Sequence, residues 1–159
     1  MTVPAKPVGP QRYRASTGRH YEDFQVGDVY EHRPGRTIGE ADNTWFTLLT
    51  MNQHPLHFDA EYAARSAFGR PLVNSTFTLA LVTGMSVAAV SQKAEAHLGW
   101  TDIRLPAPVF VGDTRYAESE VLATRESKSH ADAGIVTVRT SGRKADGTVV
   151  ITFERTILV

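Results

Sequence analysis

The sequence predicts an α+β domain in which an antiparallel curved sheet wraps around one long central helix, and three observations carry that prediction. Residues 71–92 form the longest apolar segment, with Leu72, Phe77, Leu79, Val82, Met85 and Val90 among the residues that make it apolar on most sides, as a buried helix requires. The period then shortens to that of strands: 97–105, 114–124, 134–142 and 148–158 are β-branched or alternating and are separated by turn residues. Asp146-Gly147, a dipeptide suited to tight hairpins, separates the last two. Helices followed by a run of strands give the order of an α+β domain.

The elements before that helix are shorter. Residues 1–20 carry Pro4, Pro7 and Pro10 with no apolar period and read as a mobile N-terminal arm, which leaves 21–159 as a single domain. Gly27-Asp28 marks a turn into an early strand at Val29 and Tyr30. Glu40 to Met51 reads as a helix with Trp45, Leu48 and Leu49 on one face and Glu40 and Asp42 near its positive end. Pro55 prevents continuation, so Asn52 and His57 fall in a turn, and Asp59 reads as the N-cap of a short helix through Ala64.

Composition narrows the function. A chain of 159 residues buries roughly 68–70% of its unfolded surface, enough for one core. Lys plus Arg equal Asp plus Glu at 17 each, so no net field favours nucleic acid or an anionic membrane. The absence of cysteine excludes thiol nucleophiles, disulfides and thiolate metal sites. The first residues lack the apolar run of a signal peptide, and no segment has the length of a membrane span, so a cytoplasmic protein is expected.

The segment Asn52-Gln53-His54-Pro55-Leu56-His57 resembles the active-site signature of the MaoC-like hydratases, Asp-x-Asn-Pro-Leu-His, with Asn52 at the carboxylate position. Phe24 to Asp28, Gly69 to Val73 and Pro108 to Asp113 extend the resemblance, in order, over nearly the whole chain from residue 21. Arg125 to Ser129, Gly134 to Val136 and Arg155-Thr156 are most similar to the mesaconyl-CoA hydratase, or β-methylmalyl-CoA dehydratase, branch. The resemblance implies a hot-dog fold, a homodimer or higher homo-oligomer, and a coenzyme A thioester substrate. It implies reversible hydration of an enoyl-CoA, with a short branched or dicarboxylic acyl group, and no metal or redox cofactor.

Such a reaction needs a group to take a proton from water, a group to return one to C2, and dipoles to hold the enolate oxygen. His57 suits the proton transfers. Asn52, a carboxamide, orients water without acting as a base, and equally suits a turn former. His54 stands at the signature's Asn position, where it stabilises the turn or lines the pocket. The resemblance places the oxyanion donor at the Ser75 N–H, after Asn74, at the positive end of the central helix. Thr83 matches a hydroxyl position on that helix; it contacts ligand or bonds back to its own helix. Among Arg65, Arg70 and Arg104, Arg70 is the best placed to meet a phosphate or carboxylate.

Two other readings compete. A hot-dog thioesterase or carrier-protein dehydratase places an acidic residue on the central helix, and 72–92 contains none. A non-catalytic acyl-CoA-binding or assembly subunit is motivated by Asn52, where a base is missing.

Overall fold

A computed structural model describes residues 5–159. The chain opens with a hairpin of β1 (Ala5–Gly9) and β2 (Arg12–Ala15), in which Lys6 lies opposite Arg14 and Pro7 opposite Tyr13. Residues 6–15 are all exposed. The part of the expected arm before residue 5 lies outside the described residues. The arm's end is tied down: the Gly18 N–H donates to the Ala88 carbonyl at 2.9 Å and Arg19 to that of Ala89 at 2.8 Å, satisfying carbonyls at a helix end.

Next come β3 (Val29–Thr37), α1 (Glu40–Leu49), a 3₁₀ turn at Pro55–His57, α2 (Ala60–Ala64) and α3 (Ser75–Ser86), which continues as one π-helical turn, Val87–Ser91. The strands β4 (Ala96–Arg104), β5 (Thr114–Glu126), β6 (Gly134–Lys144) and β7 (Val149–Leu158) follow. They complete a five-stranded antiparallel sheet in the order β3-β5-β6-β7-β4. No helix among the described residues is long and apolar enough to cross a membrane.

The core lies between α3 and the inner face of the sheet. Strands β5 to β7 bury alternate residues, including Val121, Val138, Phe153 and Ile157. The helix answers with one stripe at fourfold spacing, Thr78, Val82 and Ser86, extended by Val90. Gly142 permits the close approach, because a Cβ there would meet Val82 at 2.7 Å and Ile151 at 2.8 Å. The long segment is therefore buried along one stripe, while Ala80 and Gly84 on its other side are exposed.

Polar groups are buried beneath α3. His32 bonds Ser119, and Ser119 bonds Thr140, each at 2.8 Å. Burial, reinforced by nearby Arg155, lowers the His32 pKa to about 4, so this ring is neutral at pH 7. Arg155 is fully buried and donates to the Ser86 hydroxyl at 2.8 Å, in the last turn of α3. The described residues give it no carboxylate partner, its Nε and Nη1 make no hydrogen bond, and burial lowers its pKa to about 10.

Helix α1 inverts the usual pattern. Its buried residues are polar, Asn43 and Thr47, one turn apart. Trp45 and Leu49, which the apolar period would bury, are 67% and 76% exposed. The helix ends at Leu49, two residues before the sequence suggests, since Met51 adopts a left-handed conformation with φ of +61°.

Candidate active site

The turn after α1 is built by local side-chain bonds. The Asn52 N–H donates to the Thr47 carbonyl at 3.0 Å, and the Asn52 Oδ1 accepts from the His54 N–H at 3.0 Å. The His54 Nδ1 in turn accepts from the Leu56 N–H at 3.2 Å and caps the 3₁₀ turn. Asp59 caps α2 through Tyr62, at 2.9 Å. Both Asn52 and His54 thus spend a polar atom on fixing the backbone that leads to His57.

The tautomer of His57 follows from its partner. Its Nδ1 lies 2.8 Å from the Leu72 carbonyl oxygen, which only accepts, so Nδ1 carries the hydrogen and Nε2 keeps a lone pair. The Leu72 N–H returns a bond to the Leu56 carbonyl at 3.1 Å. Two bonds therefore fix the turn against the segment that enters α3.

Asn43 closes this arrangement. Its Nδ2 donates to the His57 carbonyl at 2.8 Å and to the Leu72 carbonyl at 3.2 Å, while its Oδ1 accepts from the Asn74 N–H at 2.9 Å. Sequence reasoning missed this residue. The available signal was the Asn43/Thr47 pair, two polar side chains on one side of a helix otherwise rich in aromatic and aliphatic residues.

Asn74 is the N-cap of α3: its Oδ1 accepts from the Thr76 N–H at 2.9 Å and the Thr76 hydroxyl at 2.7 Å. Its Nδ2 donates to Thr47 at 3.3 Å. Ser75 is the first residue of this 12-residue helix. Its N–H has no intrahelical acceptor by position, and no acceptor among the described residues takes it, so a donor stands open at the positive end of the dipole.

His57 and Arg70 line one cavity of about 280 Å³, with Glu40, Thr44, Phe58 and Val111. Ser75 lines another, of about 250 Å³, with Leu72, Thr78 and Pro108. Thr83 stands apart, about 12 Å along the helix from Ser75, beside Trp100, and its buried hydroxyl makes no hydrogen bond. Asn52 and His54 line none of these three cavities. Arg104 is paired with Asp102 at 2.7 Å.

Beside Arg70, polar contacts converge on Asp113. Asp113 accepts from the Phe110 N–H at 3.0 Å and pairs with Arg115 and Lys144 at 2.9 Å each. Burial would raise its pKa, but these partners outweigh burial and hold it at about 2. Phe110, fixed in this way and bridged to Leu72, carries the Arg70 guanidinium 4.0 Å from its ring centroid. Among the described residues, no three His, Cys, Asp or Glu side chains gather as a metal-ligand set.

Comparison with known proteins places this arrangement in a family. The family described as mesaconyl-CoA hydratase matches residues 11–159. The chain belongs to that family. The mesaconyl-CoA hydratase of Cereibacter sphaeroides is 32% identical over 146 residues, which is 92% of this chain and 42% of that protein. The (R)-specific enoyl-CoA hydratase of Aeromonas caviae is 33% identical over 136 residues, 86% of this chain and 96% of that protein. The chain spans about two fifths of the mesaconyl-CoA hydratases it matches.

Among solved structures, the MaoC-like dehydratase from Rhodospirillum rubrum is 28% identical with a TM-score of 0.78, covering 89% of this chain and 97% of its own. A Mycobacterium tuberculosis protein described as a double hotdog fold gives a TM-score of 0.81 at 23% identity, with 89% of this chain and 44% of that one aligned. The fold is a hot-dog: an antiparallel sheet around a central helix.

Proposed function

We propose that this hot-dog unit hydrates and dehydrates an enoyl thioester of coenzyme A reversibly, with His57 as its acid and base. One observation carries the reading: the bond from Nδ1 to the Leu72 carbonyl leaves the His57 Nε2 as an available base. In hydration, Nε2 takes a proton from water as the oxygen adds to C3. The electron pair moves onto the thioester oxygen, which the Ser75 N–H holds. The imidazolium then returns its proton to C2. The same steps reversed expel water, and no metal or redox group takes part.

Asn52 holds the turn that carries His57, through the bond its Oδ1 accepts from the His54 N–H, and exchanges no proton. A second reading, a non-catalytic acyl-CoA-binding subunit, is favoured by the same residue, since its Oδ1 is engaged with His54. Purified protein given crotonyl-CoA and mesaconyl-CoA should consume the enone absorbance; no turnover of any short or branched enoyl thioester sinks the hydratase reading. Asn52→Asp then separates the two. A gain on the order of two to four decades marks the natural chain as impaired, and a loss marks Asn52 as an adapted water-holder.

A second copy of the chain is the proposed partner, docked along β4. The opposite edge strand, β3, carries Glu31, Arg33, Pro34 and Arg36, which discourage pairing. Strand β4 instead exposes Leu98, Trp100 and Ile103. Light scattering should return twice the chain mass, and Leu98→Lys should shift it toward the monomer; an unchanged mass for the variant would place the interface elsewhere.

A further inference from the structure

We infer that the N-terminal hairpin is a clasp between chains: the hairpin of a second copy docks, through Tyr13, in the groove between α1 and α3. The inference concerns how two copies meet and stands apart from the chemistry at His57.

Two surfaces lack a partner within the chain. The first is the hairpin of β1 and β2, in which every residue from 6 to 15 is exposed. A lone two-stranded hairpin is marginal in water and gains stability only by packing on another surface. Its ladder gives it two unlike faces, with Pro7 opposite Tyr13 on one and Lys6 opposite Arg14 on the other. Tyr13, an aromatic ring with 72% of its surface in solvent, is the natural anchor of the apolar face.

The second surface is the outer side of α1, where Trp45, Leu48 and Leu49 are exposed. Trp45 and Leu49 line a groove of about 350 Å³ with Phe77 and Leu81 of α3, and Asp42 stands on its wall. Exposed apolar residues gathered around a groove mark a place for another protein surface. Charge matches the two surfaces. Residues 5–15 carry Lys6, Arg12 and Arg14 and no acid, whereas α1 carries Glu40 and Asp42 and no base. Glu40 forms no ion pair with a described residue. An aromatic anchor in an apolar groove, ringed by opposite charges, has the anatomy of an interface.

A second copy is the occupant because the chain's own hairpin is held at the far end of α3. Gly18 and Arg19 tie its base to the carbonyls of Ala88 and Ala89. Gly18, with φ of +85°, sits hard against that end, where a Cβ would meet Gln92 at 2.7 Å. Phe77 lies roughly 16 Å back along the helix axis. A two-fold axis across the middle of α3 reverses the helix, and so brings the Ala88 end of a second copy beside the Phe77 end of the first. That middle is open: Ala80 and Gly84 are exposed, and a Cβ on Gly84 would meet nothing within 4 Å. The clasp is therefore reciprocal, with each hairpin in the other copy's groove.

The chain has no cysteine, so introduced thiols report without background. The test uses the full chain carrying both Tyr13→Cys and Leu49→Cys, oxidised with diamide and run on a non-reducing denaturing gel. The expected product has twice the chain mass, while each single variant stays at the chain mass. Adding Trp45→Lys should abolish the link, because it removes the groove's aromatic wall and leaves both thiols in place. A linked monomer would mean that the chain's own hairpin covers its groove, and a ladder beyond two chains would mean an open rather than a reciprocal contact. Either result, the absence of a link, or a link that survives Trp45→Lys undiminished overturns the inference. Leu98→Lys is scored separately: a double-mass link in a protein whose mass that substitution leaves unchanged removes docking along β4 and leaves the clasp standing.

Discussion

His57→Ala should reduce enoyl-CoA hydration by about two to four decades, the usual contribution of a positioned acid and base. The effect is expected at the upper end because one side chain performs both transfers. Asn52 has no proton to exchange, and the helix that begins at Ser75 contains no acidic residue. Substrate binding should change little, since on the proposed mechanism the acyl oxygen is held by the Ser75 N–H and not by His57. The loss should appear in kcat with KM nearly constant, measured by enone absorbance. The fold should tolerate the change, because the Leu72 carbonyl keeps its bond from Asn43 at 3.2 Å when the imidazole is removed. Residual turnover within tenfold of the natural enzyme, in a variant with an unchanged melting curve, would remove His57 from the chemistry.

The sheet was legible because burial on one face imposes a period of two. The spans 97–105 and 134–142 differ from Ala96–Arg104 and Gly134–Lys144 only at their ends. The Asp59 cap of α2 was legible for a similar reason, since a short acceptor before a helix has one obvious use. Helix α1 was misleading. Trp45, Leu48 and Leu49 form its apolar face and are exposed, whereas Asn43 and Thr47 are buried, because their task is to satisfy backbone groups of the turn and of the α3 entry. Periodicity detects an apolar face without revealing what covers it. The hexad drew attention to Asn52 and His57 as a pair, yet only His57 lines a cavity with Arg70. Such placement depends on the Leu56–Leu72 pairing, a contact between segments that no local pattern encodes. Thr83 was singled out by its position on the helix, and its distance from Ser75 follows from helical rise alone.

Asn43→Ala should damage stability and activity together. Removing the carboxamide leaves the His57 carbonyl and the Asn74 N–H without their partner, whereas the Leu72 carbonyl retains the His57 Nδ1–H. Each orphaned group costs about 1–3 kcal/mol, together a large part of the roughly 5–15 kcal/mol that stabilises a domain. The melting temperature should fall by roughly 5–15 °C at the usual few degrees per kcal/mol for a chain of this size. Activity measured well below the melting point should still drop by about 10²-fold, since a shift of about 1 Å in a positioned base costs that much. Asn43→Asp separates the two halves of the role: its carboxylate keeps the bond from the Asn74 N–H but faces the His57 and Leu72 carbonyls with no hydrogen to offer. The α3 cap should then survive while the His57 turn loosens, and imidazole nitrogen shifts should show His57 departing from a single tautomer. A melting point within about 2 °C of the natural protein and a fixed His57 tautomer in Asn43→Ala would mean that the turn is held without Asn43, by Asn52, His54 and the bonds between Leu72 and the turn.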